Sequence, residues 1–470
     1  MSIPRNAYQQ IKMIIRDQSR VLTSEEDLVS YGYDASFGFY LPDLVVQVTS
    51  VEETAGILKL ANRFKIPVTP RGQASSLSGG PLPVKGGIVL DVSQWNRKLI
   101  VDSEDLVAVV SPGVVTARID KEAAKYGLMY PPDPGSSQMS TIAGNLAENS
   151  GGPRCLKYGV TKDYVIGLEV VTPQGEVMRT GGRTVKNVSG YDLTKLIVGS
   201  EGTLGVITEA TLRLVPRPPS SRTLMIIFNH FIDSGRMVTQ ILTSGILPAK
   251  IEMMDQASIR AVEAYKPLGL PTDAEAILLV ALDGHPAAVK DESEKIAEIA
   301  KGVGAREIKA AETDREAGEL WQARRLVSPA IVRTKPTKIS EDATVPRSKI
   351  PEFCARLQEI KMKYRIDLVV FGHAGDGNLH PNIICDKRDK EEMKRVEKAI
   401  EAIFHTALNL GGTLSGEHGI GTMKSAYMPW EFSPEALDMM KRIKTAWDPN
   451  NILNPSKIFP VPGQRLVLSE

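Results

Sequence analysis

The sequence predicts an α+β chain folded into two lobes, and three observations carry that prediction. Its 470 residues exceed the size at which one hydrophobic core keeps growing. From Leu44 onward, short β-branched apolar runs alternate with segments whose apolar residues recur at helical spacing. Both patterns break at Pro216-Arg217-Pro218-Pro219, because proline continues neither a strand nor a helix interior. The chain is therefore expected to divide into residues 1–219, with a core over 40–219, and residues 220–460 with a short tail to 470.

The first lobe opens with a strand over Leu44–Val48 and an amphipathic helix over Val51–Phe64. Ile66–Thr69 reads as a second strand. It runs into Pro70-Arg71-Gly72-Gln73-Ala74-Ser75-Ser76-Leu77-Ser78-Gly79-Gly80, a loop of small residues. Further strands are expected at Gly87–Val92, Leu106–Val110, Val165–Thr172 and Val206–Leu214. Past the prolines, Leu224–Phe228 and Ala276–Leu282 read as strands of a new sheet, and Asp291–Ile299 and Lys390–Leu410 as helices, so the second lobe is α+β. No repeat or low-complexity tract interrupts this order.

Composition narrows the function classes. Lys and Arg total 57 against 56 Asp and Glu, so no global field draws the chain to nucleic acid or an anionic membrane. The three cysteines, Cys155, Cys354 and Cys385, lie far apart, which speaks against a disulfide framework and a cysteine metal site. No apolar stretch approaches membrane-spanning length, and Met1–Asp17 interrupts its apolar residues with Arg5, Lys12 and Arg16. A soluble, cytoplasmic protein is the expectation.

Two small-residue segments point to a dinucleotide. In Arg71–Gly80, successive glycine, alanine and serine leave backbone N–H groups free to converge on an anion; taken alone, the loop is equally a surface turn. The second segment, Pro131-Pro132-Asp133-Pro134-Gly135-Ser136-Ser137 followed by Ser140–Gly152, is again small and polar where a solvated loop would carry Lys or Glu. No Gly-x-Gly-x-x-Gly turn or Gly-Lys-Ser/Thr phosphate loop is present, which disfavours nicotinamide folds and nucleotide hydrolases and leaves a flavin.

The chain has six histidines, and two of them flank a turn. Leu368–Ile383 reads as a hairpin about Asp376-Gly377, which sets His373 opposite His380 with both side chains on one face. Two imidazoles so placed suit a shared metal ion; the bland alternative is a stacked surface pair. A third ligand is offered by Glu417 in the glycine-rich stretch Gly411–Gly421, beside His418. A His/His/Glu set fits zinc, manganese or iron(II) alike.

These segments, with Gly190-Tyr191-Asp192-Leu193 and Gly199–Thr208, resemble the glycolate oxidase catalytic subunit and D-lactate dehydrogenase family of the vanillyl-alcohol-oxidase flavoprotein superfamily. The resemblance covers nearly the whole chain. It implies a vanillyl-alcohol-oxidase-type FAD-binding domain and an α+β C-terminal substrate domain. The FAD contacts it suggests are Arg71, Gly72, Gln73, Ala74, Ser75, Ser76, Gly79, Pro132, Gly135, Thr141, Gly144, Asn145, Asn149, Gly151 and Ile207. The loop departs from the family where Gln73 and Ala74 replace glycines. No histidine lies in the Arg71–Gly80 loop or near Ser140–Gly152 to form a covalent flavin link, so the FAD is expected to be non-covalent. In the second lobe, Arg324 matches the residue that binds substrate carboxylate, with Ser328 and Lys338 as further candidates, and His418 matches the base.

The activity so implied is oxidation of a small 2-hydroxy acid, of D-lactate or glycolate type, to the 2-oxo acid. The metal grips the substrate at His373, His380 and Glu417, Arg324 neutralises its carboxylate, His418 takes the hydroxyl proton and a hydride passes to flavin N5. Three scattered cysteines cannot hold a four-cysteine iron–sulfur cluster, so the electrons are expected to leave for a protein partner, an iron–sulfur subunit or an electron-transferring flavoprotein. A homodimer is left open. Three other readings remain at this point: a flavin enzyme for alcohols or sugars that needs no metal, a non-redox flavoenzyme resembling the ether-lipid synthases of the superfamily, and a non-catalytic flavin subunit of an electron-transfer complex.

Overall fold

The computed structural model describes residues 3–461. These form two units. Among the described residues, one comprises Ile3–Gly151, Val160–Arg217 and Glu417–Val461; the other comprises Gly152–Gly159 and Pro218–Gly416. No helix among the described residues is long and apolar enough to cross a membrane.

In the first unit, β1 (Val21–Leu22), β2 (Leu44–Gln47), β3 (Val68–Arg71) and β4 (Ile88–Asp91) form a sheet in the order β1-β2-β4-β3, with β2, β4 and β3 parallel. The crossover between β2 and β3 is helix α1 (Val51–Phe64). Ser50 caps its first turn by accepting from Glu53 N, and Lys65 ends it in a left-handed conformation. Its apolar face buries Ile57, Leu58, Leu60 and Ala61 against Leu44, Val46, Val68, Ile88 and Leu90. A second, antiparallel sheet holds β5 (Leu99–Asp102), β6 (Val107–Val110), β7 (Val165–Val171), β8 (Val177–Gly181) and β9 (Val206–Arg213) in the order β5-β6-β9-β7-β8. Leu106, expected to open β6, has φ 53° and stands outside the strand.

The sequence reading placed everything from 220 to 460 in one domain. The stretch after Gly416 instead groups with the first unit, and the edge of β3 gives the reason. Val68 N donates to Ile452 O at 2.8 Å, and Asn454 N donates to Val68 O at 2.8 Å, so the tail runs along an edge whose backbone groups would otherwise lack partners.

The second unit is built on one antiparallel sheet. Its strands are β10 (Ser220–Phe228), β11 (Lys250–Asp255), β12 (Ala276–Gly284), β13 (Glu307–Ala310), β14 (Thr337–Ser340), β15 (Ala343–Thr344), β16 (Asp367–His373) and β17 (Asn378–Cys385). The order is β13-β10-β12-β11-β16-β17-β14, with β15 also paired to β17. On one face, Met225, Ile227, Met254, Ile277, Leu279, Phe371 and Ile384 pack against Ile259 and Val262 of the helix Gln256–Tyr265 and against Ala323, Val327, Ala330 and Ile331 of α3 (Asp314–Ile331). The helix expected at Lys390–Leu410 is present as α4 (Lys390–Asn409).

The pairing of β11 with β16 covers Met253↔Gly372 and Met254↔Phe371, and the Asp255 side chain continues it. One carboxylate oxygen accepts from Val370 N at 2.9 Å and the other from Ser258 N at 2.8 Å, so one half-buried residue caps a helix and fixes the strand that carries His373. Asp255→Ala removes the cap and strands the Val370 N–H. It is expected to lower the stability of this unit by about 2–4 kcal/mol, checked by urea denaturation; a loss under about 0.5 kcal/mol would refute the linkage.

Candidate functional site

The dinucleotide candidates of the first unit gather where chain segments approach closely. A Cβ at Gly72 would lie 2.1 Å from Thr141 Oγ1, one at Gly79 would lie 2.3 Å from Thr422 Oγ1, and one at Gly80 would lie 2.6 Å from Glu148 Oε1. Only glycine permits those approaches. Ala74 holds φ 52°. The backbone N–H groups of Gly72, Gln73, Ala74, Ser75, Ser76, Leu77, Gly79 and Gly80 find no acceptor among the described residues, whereas Ser78 N donates to Ser76 Oγ. The buried hydroxyls of Ser140 and Thr141 likewise lack partners. Unspent donors in a small-residue cradle fit the pyrophosphate and polar edges of a dinucleotide.

Arg71, a candidate FAD contact, also ties the scaffold together. Its guanidinium turns from the loop to the carbonyls of Ser30, Tyr31 and Tyr33 and lies 5.2 Å from the Tyr31 ring centroid, so it ties β3 to the chain before β2. The Ser140–Gly152 segment is not a loop throughout, since Ile142–Glu148 forms helix α2. Gly144 lies on α2, while the Asn145 and Asn149 side chains serve the scaffold: Asn145 Nδ2 donates to Thr116 Oγ1, and Asn149 Oδ1 accepts from Lys162 N. Pro132, Gly151 and Ile207 are buried; Gly135 is exposed with open space about it.

In the second unit, the two histidines share a face by a register different from the expected one. Phe371 pairs with His380 and His373 with Asn378, so the connection is four residues long. Ala374–Asp376 makes a 3-10 turn, Gly377 follows with φ 83°, and Gly375 packs against Leu156 and Ile251. The shift of two residues keeps the faces, so His373 and His380 stand diagonally, with ring centroids 5.1 Å apart and planes at 89°. A ligand nitrogen of each lies within 4.8 Å of the other.

Glu252 of β11 was not foreseen. Fully buried, it meets His373 Nδ1 at 2.6 Å through one oxygen and Arg324 Nε at 2.6 Å through the other. Burial would raise its carboxyl, but His373 and Arg324 outweigh that and hold it below the usual range. A carboxylate on Nδ1 places the ring proton there and leaves the Nε2 lone pair for a metal. Of the arginine pair on α3, Arg324 turns inward over the Phe371 ring, 4.8 Å from its centroid, and Arg325 is solvent-exposed. One turn on, Ser328 Oγ accepts from Lys338 Nζ at 2.8 Å, and burial lowers the Lys338 ammonium. His380 Nδ1 lies 3.8 Å from the buried Asp342.

The third ligand candidate follows from chain continuity. A Cβ at Gly416 would lie 2.6 Å from the side chain of Asn378, the cross-strand partner of His373, and Glu417 is the next residue. Glu417 Oε1 lies 3.9 Å from His418 Nε2. Two buried imidazoles, one with its tautomer fixed by Glu252, suit a divalent ion. Glu252→Gln, which keeps the shape and weakens the hold on His373, is expected to cut zinc or manganese affinity roughly 10–100-fold while FAD stays bound, checked by calorimetric titration; unchanged affinity would remove Glu252 from the site.

Residues 42–181 match the family model described as the FAD binding domain, and residues 217–458 match that of the FAD linked oxidases, C-terminal domain. The glycolate oxidase subunit GlcD of Bacillus subtilis (strain 168) is 46% identical over 441 residues, which is 94% of each chain. The D-lactate dehydrogenase of Anaerostipes hadrus is 36% identical over 93% of this chain and 94% of its own. Among solved structures, p-cresol methylhydroxylase shares the fold with a TM-score of 0.81 at 19% identity, over 99% of both chains. With matches across both units and a dinucleotide cradle in the first, the chain belongs to the FAD-linked oxidases, flavin-dependent oxidoreductases of the vanillyl-alcohol-oxidase type.

Proposed function

We propose that this enzyme oxidises a small 2-hydroxy acid, of the D-lactate or glycolate type, to the 2-oxo acid with non-covalent FAD and a divalent metal, and passes the electrons to a protein partner in the cytoplasm. The observation that carries the reading is the chain Arg324–Glu252–His373, which joins a carboxylate-binding cation to a metal ligand through one buried acid. Alcohols and sugars offer nothing for that cation to bind. The names of the relatives, glycolate oxidase subunit and D-lactate dehydrogenase, support the same substrate class.

Bound FAD supplies the acceptor for the hydride of C2. A divalent ion held by His373, His380 and Glu417 would supply positive charge that acidifies the substrate hydroxyl. Arg324 grips the substrate carboxylate; its planar guanidinium is already oriented by Glu252, so little freedom is lost on binding. Lys338, which donates to Ser328 Oγ, serves with it the same end of the substrate. His418 accepts the hydroxyl proton on a ring nitrogen. Reduced flavin then needs an outlet. The relatives named as subunits support a partner protein for that step.

Anaerobic addition of D-lactate or glycolate is expected to bleach the flavin, and a chelator to prevent the bleaching without releasing FAD. Air should then reoxidise the flavin more slowly than turnover with an acceptor protein. No bleaching by any 2-hydroxy acid, or full bleaching in metal-free protein, would overturn the proposal. His418→Ala is expected to slow flavin reduction about 10²–10⁴-fold with little change in substrate binding, read by stopped-flow; an unchanged rate would exclude it as the base.

A further inference from the structure

Lys457 is a lysine with 2% exposure, and its ammonium is spent on backbone. Nζ donates to Gly79 O at 2.9 Å and to Leu82 O at 2.5 Å. Burial pushes it down to about 7, against the opposing pull of Asp34, Glu201 and Glu148. Three residues earlier, Asn454 Nδ2 donates to Gly80 O at 2.9 Å, and Ser78 O accepts from Thr422 N and Met423 N. Four carbonyls at the end of the Arg71–Gly80 loop are thus drawn toward a later stretch of the same unit.

A trans peptide points its N–H opposite to its C=O, so the side on which carbonyls are held decides where the donors face. After Gly80 and Leu82 come Pro81 and Pro83, which have no N–H to aim. The other two peptides carry the N–H groups of Gly79 and Gly80, both without an acceptor in the chain. The segment doing the holding is itself strained. Asn454, Ser456 and Ile458 have φ of 40°, 66° and 68°, and a β-branched residue enters that region only where its surroundings compel it.

We propose that Lys457 is a positioning residue for FAD: by holding the Gly79 carbonyl on one side it presents the N–H of Gly80 to the pyrophosphate, beside the Gly79 N–H that Thr422 and Met423 set through Ser78 O. This rests on the reading of Arg71–Gly80 as the pyrophosphate loop. The role differs from a plain stabilising contact because its loss loosens the cofactor rather than the fold.

The test compares FAD release from three holoenzyme variants, followed by the rise of flavin fluorescence well below their melting temperatures. Lys457→Met is expected to release FAD roughly 10–100-fold faster, the effect of one lost charge-assisted hydrogen bond. Lys444→Met is the control, since Lys444 ties the same tail to Thr203 O and Leu453 O without touching the loop. It is expected to lower the melting temperature and leave FAD release near the parent rate. Ala74→Asp sets a carboxylate among the loop N–H groups at a position whose positive φ aspartate tolerates, and should also speed release. Parent-like release from Ala74→Asp would overturn the loop reading. Fast release from Ala74→Asp with parent-like release from Lys457→Met, or release from both lysine variants that merely follows their melting temperatures, would overturn the role of Lys457. If Lys457→Met does not fold, Lys457→Gln, whose shorter amide falls short of the Gly79 carbonyl, gives the same comparison.

Discussion

Glu252 has no exposed surface, yet it stays ionised, and the site of the second unit depends on how that is possible. Removing a carboxylate from water costs several kcal/mol even after relaxation, and a single partner seldom restores it. Here two partners converge from different elements: His373 from the end of β16 and Arg324 from the middle of α3. The same contacts that keep the charge therefore fix an imidazole tautomer, aim a guanidinium and set α3 against the sheet. None of the three groups can be moved without stranding another. Such coupling suits a site that must bind a small, doubly liganded anion with little adjustment.

The first unit solves a different problem. A dinucleotide needs donors and close backbone approach more than it needs charge, and the structure supplies them by subtraction. Side chains are missing at Gly72, Gly79 and Gly80, and the one cation of the loop, Arg71, is committed to carbonyls elsewhere. Negative charge on the ligand would then be met by N–H dipoles, which need no counter-ion of their own and lose little freedom.

Much of this was legible in the sequence. The β-branched runs of both lobes and the apolar period of Val51–Phe64 gave elements within a few residues, because each buries one continuous face. The units part at Arg217 and Pro218, inside the proline cluster. What stayed hidden was whatever depends on distant residues. The return of the tail to β3 arises from an edge strand needing partners, which no local pattern announces. The hairpin register was misread because Asp376-Gly377 favours a two-residue turn in isolation, whereas packing of Gly375 and Gly377 against Leu156 and Val345 selects a longer one. Glu252 sits in Lys250–Asp255 as an ordinary polar residue in a strand; only the fold brings it to His373 and Arg324.

The bond from Lys457 to Gly79 spans 378 positions along the chain. At a synthesis rate of about 5–20 residues per second, the loop waits roughly 20–75 s for the side chain that orders its carbonyls. During that interval β3 also presents a bare edge, since Ile452–Asn454 has not yet been made. Such an edge invites pairing with other nascent chains. A chain halted inside the helix Pro434–Trp447 would carry the loop without the side chain that orders its carbonyls.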